Sequence, residues 1–141
     1  MPTTSKATAH WEGTLFEGKG SVNLDSSHLG SFDINWKARS EGSDSNTTPE
    51  ELLGAAHASC FSMALSNGLA KAGTPATTLN TTAAVDFVPG TGITGIKLTV
   101  RGEVPGISAE DFVAAAADAK ANCPVSKALG GTAITLDAAL A

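Results

Sequence analysis

The chain reads as an α+β fold with the element order βββ-α-ββ-α-β. Three observations predict this. Phe32, Ile34, Trp36 and Ala38 alternate with polar residues, as in a half-buried strand. Residues 48–73 carry the start signal, apolar body and stop signal of one long helix. Residues 132–140 alternate again and close the chain as a strand. A length of 141 residues with 42% hydrophobic content suits a single domain, 1–141, with a real core.

The first two strands are expected at residues 11–16 and 21–25, joined by the glycine-rich turn Glu17-Gly18-Lys19-Gly20. The third covers 32–39, with Phe32, Ile34, Trp36 and Ala38 inward and Arg39 on the polar face at its end. A polar loop, 40–47, follows. Thr48 then stands at N-cap, Pro49 at N1 and Glu51 at N3 of the long helix, which is a capping box. Gly73 is the stop residue. The body of this helix is apolar or small on nearly every face, the pattern of a helix buried all round. A short chain has little material to cover a helix about 36 Å long, which favours burial by a second subunit. Strands at about 81–88 and 93–104 flank the turn Pro89-Gly90-Thr91-Gly92. A second helix starts at Ser108 and runs to Asn122, and Cys123-Pro124 restarts a short helical turn.

Composition excludes several classes of function. Nine Lys+Arg and 5% aromatics give neither a basic stripe nor a stacking platform, against nucleic-acid binding. No stretch approaches the roughly 18 apolar residues of a membrane span. Residues 1–10 lack an apolar run, so no secretory signal is expected and the cytoplasm is the expected location. G-x-S-x-G, P-loop and dinucleotide motifs are missing. His57 and Cys60 lie at i and i+3, but no C-x-x-C or H-x-x-x-H accompanies them, so no metal or cofactor is expected and His57 reads as a packed residue.

The two cysteines, Cys60 and Cys123, are either small buried hydrophobes or a redox couple. A reactive thiol needs a lowered pKa. Of the two arginines, Arg39 and Arg101, Arg39 is the candidate activator, with a solvated strand edge as its plain alternative. Glu50 at N2 is free to orient an arginine through a bidentate pair, or simply to complement the helix N-terminus. Ten residues separate Glu50 from Cys60, about 15 Å along a straight helix. Glu50 would therefore reach a Cys60 only across two antiparallel helices of a dimer. Cys123, just before Pro124, has its thiolate favoured by the start of a short helix.

The segment Thr48-Pro49-Glu50-Glu51-Leu52-Leu53-Gly54-Ala55-Ala56-His57-Ala58-Ser59-Cys60-Phe61 closely resembles the signature helix of the OsmC/Ohr family, and Asn122-Cys123-Pro124-Val125-Ser126 resembles its second cysteine motif. Ala9-His10-Trp11-Glu12-Gly13 and Gly18-Lys19-Gly20 resemble the OsmC branch. The resemblance implies an intertwined α+β homodimer with long buried central helices. It implies reduction of peroxides, organic hydroperoxides above hydrogen peroxide, with Cys60 peroxidatic, Cys123 resolving and Arg39 with Glu50 the activating pair. An external dithiol would be the reductant, a lipoyl type among the candidates. In the Ohr branch the arginine lies in the early hairpin. Here Arg39 is the only one upstream of the helix, which fits the OsmC branch. The alternatives from other classes are a thiol redox sensor and a non-catalytic dimeric ligand-binding module.

Overall fold

The computed structural model describes residues 1–141. The chain divides into two compact units, residues 1–50 and residues 51–141, each taken by itself.

The first unit is a three-stranded antiparallel sheet in the order β1-β2-β3, formed by Ala7–Glu12, Lys19–Leu24 and Ser31–Ile34. The first hairpin departs from expectation. Its strand ends at Glu12, paired with Lys19, so the turn occupies 13–18 and not 17–20. Gly13 starts that turn at φ 90°, and the Gly18 N–H closes it on the Thr14 carbonyl at 2.8 Å.

The expected strand 32–39 is also corrected. It stops at Ile34, and Trp36–Glu41 form a short helix, α1. Asn35 causes the switch. Its Oδ1 accepts the Ala38 N–H at 2.7 Å, a helix N-cap bond that an extended chain cannot make. Arg39 therefore lies in the last turn of a helix rather than on a strand edge, and the loop begins beyond Glu41.

The long helix, α2, spans Pro49–Lys71. Its stop is the expected one. Gly73 has φ 89°, Thr74 N–H donates to the Leu69 carbonyl at 2.9 Å and Gly73 N–H to the Ala70 carbonyl at 3.1 Å, a Schellman closure. All-round burial is not found within one chain. His57, Phe61, Leu65 and Leu69, at i+4 steps, form the buried stripe of the second unit. Ala55, Ala56, Ser59, Ser66 and Asn67 lie exposed, and Met63 is 72% exposed.

The second unit sets α2 beside a sheet in the order β4-β5-β6. Strands β4 (Thr78–Val88) and β5 (Gly92–Glu103) are an antiparallel hairpin with a bulge at Asp86/Phe87. Strand β6 (Ile134–Leu140) pairs parallel with β5, so a crossover is required. That crossover is α3 (Ala109–Asn122), capped by Ser108, whose Oγ accepts the Asp111 N–H at 3.1 Å, and α4 (Pro124–Ala128). One core joins Phe61, Leu65 and Leu69 of α2, Leu98 and Val100 of β5, Phe112, Ala116 and Ala119 of α3, and Cys123. Full burial of a side chain such as Phe61 or Leu65 contributes about 1.5–3 kcal/mol. That core is what fixes the two cysteine-bearing segments against each other.

Candidate active site

Cys60 lies in mid-α2, one residue before the fully buried Phe61. It is half-buried and packs against the core. Cys123 ends α3 and begins α4. Pro124 makes that break, because it has no N–H with which to continue α3 but suits the first position of α4. The Cys123 side chain is completely buried. Both cysteines are free thiols.

The fold makes neighbours of these two sulfurs, close enough for each to bear on the other's acidity. Their environments differ. Burial pushes the Cys60 thiol up, the Cys123 thiol adds to that, and the Val125 backbone pulls weakly the other way. None of these groups is a cation. Burial also opposes the Cys123 thiolate, but the Ser126 backbone, the Cys60 thiol, the Ser126 hydroxyl and the Val125 backbone outweigh it, and the Cys123 thiol sits below its ordinary value. As a neutral thiol Cys123 makes no side-chain cap bond to α4. Its surroundings are arranged for the anion. Within one chain, Cys123 is the more acidic sulfur of the pair.

Arg39 and Glu50 meet in the first unit. Arg39 Nε donates to Glu50 Oε1 at 3.0 Å and Oε2 at 3.2 Å, and Nη2 donates to Oε1 at 2.8 Å. This is the expected bidentate pair. Glu50 is 6% exposed. Arg39 borders a cavity of about 330 Å³ whose other walls include Trp11, Leu15, Trp36 and Pro49. A guanidinium at the rim of an apolar cavity suits a ligand with a polar head and a hydrocarbon body.

Two residues escaped the sequence reading as a pair. His57, completely buried, has Nε2 2.7 Å from the hydroxyl of Ser126, 6% exposed. Nδ1 of His57 is buried with no hydrogen-bond partner. Burial holds the His57 pKa below its ordinary value, so the ring is neutral near pH 7. The sequence placed His57 correctly as a packed residue. Nothing in its spacing pointed to Ser126, 69 positions away.

Residues 42–138 match the family model described as OsmC-like protein. The chain belongs to the OsmC family. It is 46% identical over 140 residues to the peroxiredoxin OsmC of Escherichia coli (strain K12), covering 97% of this chain and 96% of that one. A Shigella flexneri peroxiredoxin OsmC matches equally. Among solved structures, an organic hydroperoxide resistance protein OsmC from Legionella pneumophila superposes with a TM-score of 0.72 at 23% identity, covering 97% of each chain. The organic hydroperoxide resistance protein OhrB of Bacillus subtilis gives 0.67 at 25% identity, with 99% of this chain and 98% of that one covered. The OsmC fold is thus shared along nearly the whole chain. No helix is long and apolar enough to cross a membrane.

Proposed function

We propose that this OsmC-family chain is a thiol-dependent peroxidase that reduces organic hydroperoxides, and hydrogen peroxide less well, through Cys60 and Cys123. The observation that carries the reading is the adjacency of the two thiols, brought together from α2 and the start of α4. The peroxiredoxin name of the relatives at 46% identity points the same way.

The chemistry balances on two sulfurs. The Cys60 thiolate attacks the distal oxygen of R–O–OH. The S–O bond forms, the O–O bond breaks, and the electron pair leaves with RO⁻, which takes a proton to become the alcohol. Cys60 is now a sulfenic acid. The Cys123 thiolate attacks that sulfur, the S–O bond breaks, and hydroxide leaves and is protonated to water. An external dithiol of the lipoyl or a related type then reopens the disulfide by exchange. Of the pair, Cys60 is the more accessible sulfur and Cys123 the fully buried one, which suits the first to meet peroxide and the second to resolve.

Arg39 and Glu50 are the activating pair in this reading. Their bidentate contact fixes the guanidinium, and a fixed cation beside Cys60 would stabilise both its thiolate and the charge developing on the O–O bond. The burial that raises the Cys60 thiol within one chain is what such a cation must overcome. We assign that cation to a second copy of the chain. Glu50 and Cys60 are ten residues apart on one helix, and the exposed small-residue face of α2 around Met63 would be covered in a homodimer. The match over 97% of this chain and 96% of the Escherichia coli relative supports reading 1–141 as one functional domain. Two free thiols suit a reducing cytoplasm.

The test is mass spectrometry after one equivalent of cumene hydroperoxide. Both thiols should vanish into a single intramolecular disulfide. Thiols left unmodified would show an inert binding module, and a stable sulfenic acid on Cys60 with Cys123 untouched would point to a sensor.

A further inference from the structure

We propose that His57 and Ser126 are positioning residues for the second thiol: the Ser126 hydroxyl, held by His57, directs its hydrogen at Cys123 Sγ and makes Cys123 the sulfur that leaves as thiolate when the Cys60–Cys123 disulfide is opened. The leaving-group part rests on the disulfide of the proposed peroxidase cycle. The thiolate part stands without it.

The argument begins with hydrogen positions. Ser126 is three residues after Cys123, in the first turn of α4, and its Oγ is 2.7 Å from His57 Nε2. A hydroxyl has one hydrogen to give. It goes either to Nε2 or toward the sulfur, and the histidine tautomer decides which. If the ring proton sat on Nδ1, a buried N–H would have no acceptor, because Nδ1 has no partner. An orphaned donor in a dry core is strongly disfavoured. With the proton on Nε2, His57 donates to Ser126 Oγ and only a lone pair stays unpaired. The hydroxyl hydrogen is then released toward Cys123. The order is Nε2–H to Oγ, then Oγ–H to Sγ.

The burial pattern supports an ordered chain rather than a chance contact. His57 is 0% exposed, Ser126 6% and Cys123 0%, so water does not compete for these groups. The acidity of Cys123, favoured in part by the Ser126 hydroxyl, agrees with a donor aimed at the sulfur. The titratable groups facing Cys123 are Cys60 and, through Ser126, His57, both on α2.

The consequence for exchange follows from access and from the donor held at Cys123. A thiolate R–S⁻ can attack either sulfur of the disulfide. Attack on Cys60 forms the R–S–Cys60 bond, breaks Cys60–Cys123, and sends the electron pair out on the stabilised Cys123. Attack on Cys123 would have to reach a completely buried sulfur. The half-buried Cys60 is met first, so access chooses Cys60 as the site of attack and the Ser126 hydroxyl receives the charge left on Cys123.

The experiment uses the full chain carrying Cys60→Ser, in which Cys123 is the only thiol, and follows thiolate ultraviolet absorbance against pH. Ser126→Ala should move the titration to higher pH, Ser126→Thr should restore it, and His57→Asn should move it in the same direction as Ser126→Ala. No peroxide is involved, so failure here is distinct from failure of the peroxidase reading. If either alanine or asparagine variant does not fold, the other carries the test. A titration unchanged in the folded variants overturns the proposal and leaves the pair a packing contact. As a second arm, the wild-type disulfide is formed with diamide and reacted with excess monothiol under acid quench. The mixed disulfide should be found on Cys60. An adduct on Cys123 overturns the leaving-group assignment.

Discussion

Arg39 holds Glu50 through both carboxylate oxygens, with Nε at 3.0 and 3.2 Å and Nη2 at 2.8 Å. A lysine cannot reproduce that fork. Arg39→Ala strands a buried carboxylate and should lower stability by about 1–3 kcal/mol in urea unfolding. Its effect on the rate of hydroperoxide attack should be larger, at least tenfold, with Arg39→Lys recovering part of it. Equal thiol titration of Cys60 in the wild-type and Arg39→Ala proteins would make Arg39 a bystander.

The two sulfurs should separate by genetics. Cys60→Ser is expected to consume no hydroperoxide. Cys123→Ser should react once and then stall at the sulfenic acid, or pass on to sulfinic acid with excess peroxide. Stopped-flow single turnovers with whole-protein mass readout check both. A Cys60→Ser protein that turns over at the wild-type rate would remove Cys60 from the mechanism.

Gly54 sets how closely α2 lies on β4. A Cβ built there would meet the Ala83 carbonyl oxygen at 2.9 Å, and the neighbour is backbone rather than a flexible side chain. Alanine gains about 1 kcal/mol in helix propensity. The forced shift of packed backbone costs about 1–3 kcal/mol. Gly54→Ala should therefore destabilise on balance, whereas Gly68→Ala, with nothing within 4 Å, should be neutral or stabilising. Paired urea curves decide the sign.

Stability should fall on mild acidification through His57. Its folded pKa lies below the ordinary 6.5, so above pH 6.5 both folded and unfolded rings are neutral and the contribution is complete. As pH drops below 6.5 the unfolded ring binds a proton that the folded ring refuses, and stability is lost progressively until pH reaches the lower folded value. Urea midpoints compared at about pH 7.5 and about pH 5.5 should differ by more in the wild type than in His57→Asn. An identical pH dependence in the two proteins would place the effect elsewhere.

A shared site should complement. Refolding a mixture of Cys60→Ser and Arg39→Ala/Glu50→Ala chains should yield heterodimers with one working centre and measurable peroxidase activity. Heterodimers that form and stay inactive would show that each chain carries its own complete site.

Signals that lie close together in sequence were legible. Gly73 ends α2 as its position suggested, because a Schellman closure needs only six consecutive residues. Ser108 caps α3 for the same reason. The failure at 32–39 was also local. Two rules competed there, and the Asn35 cap prevailed over the apolar alternation that runs through Trp36 and Ala38. What the sequence could not show is contact at long range. Cys60 with Cys123, and His57 with Ser126, meet only because α4 follows a crossover that docks on α2, and no periodicity records that docking.

The parallel pairing of β5 with β6 has a temporal side. Strand β6 is made after the crossover, and the crossover that carries Cys123 can settle only when β6 has found β5. Such non-local pairings close slowly. During synthesis, Cys60 emerges well before Cys123, and stays unaccompanied until β6 has docked on β5. The meeting of the two sulfurs is therefore a late event in folding, and its speed is set by how fast β6 finds β5 rather than by the helix that carries Cys60.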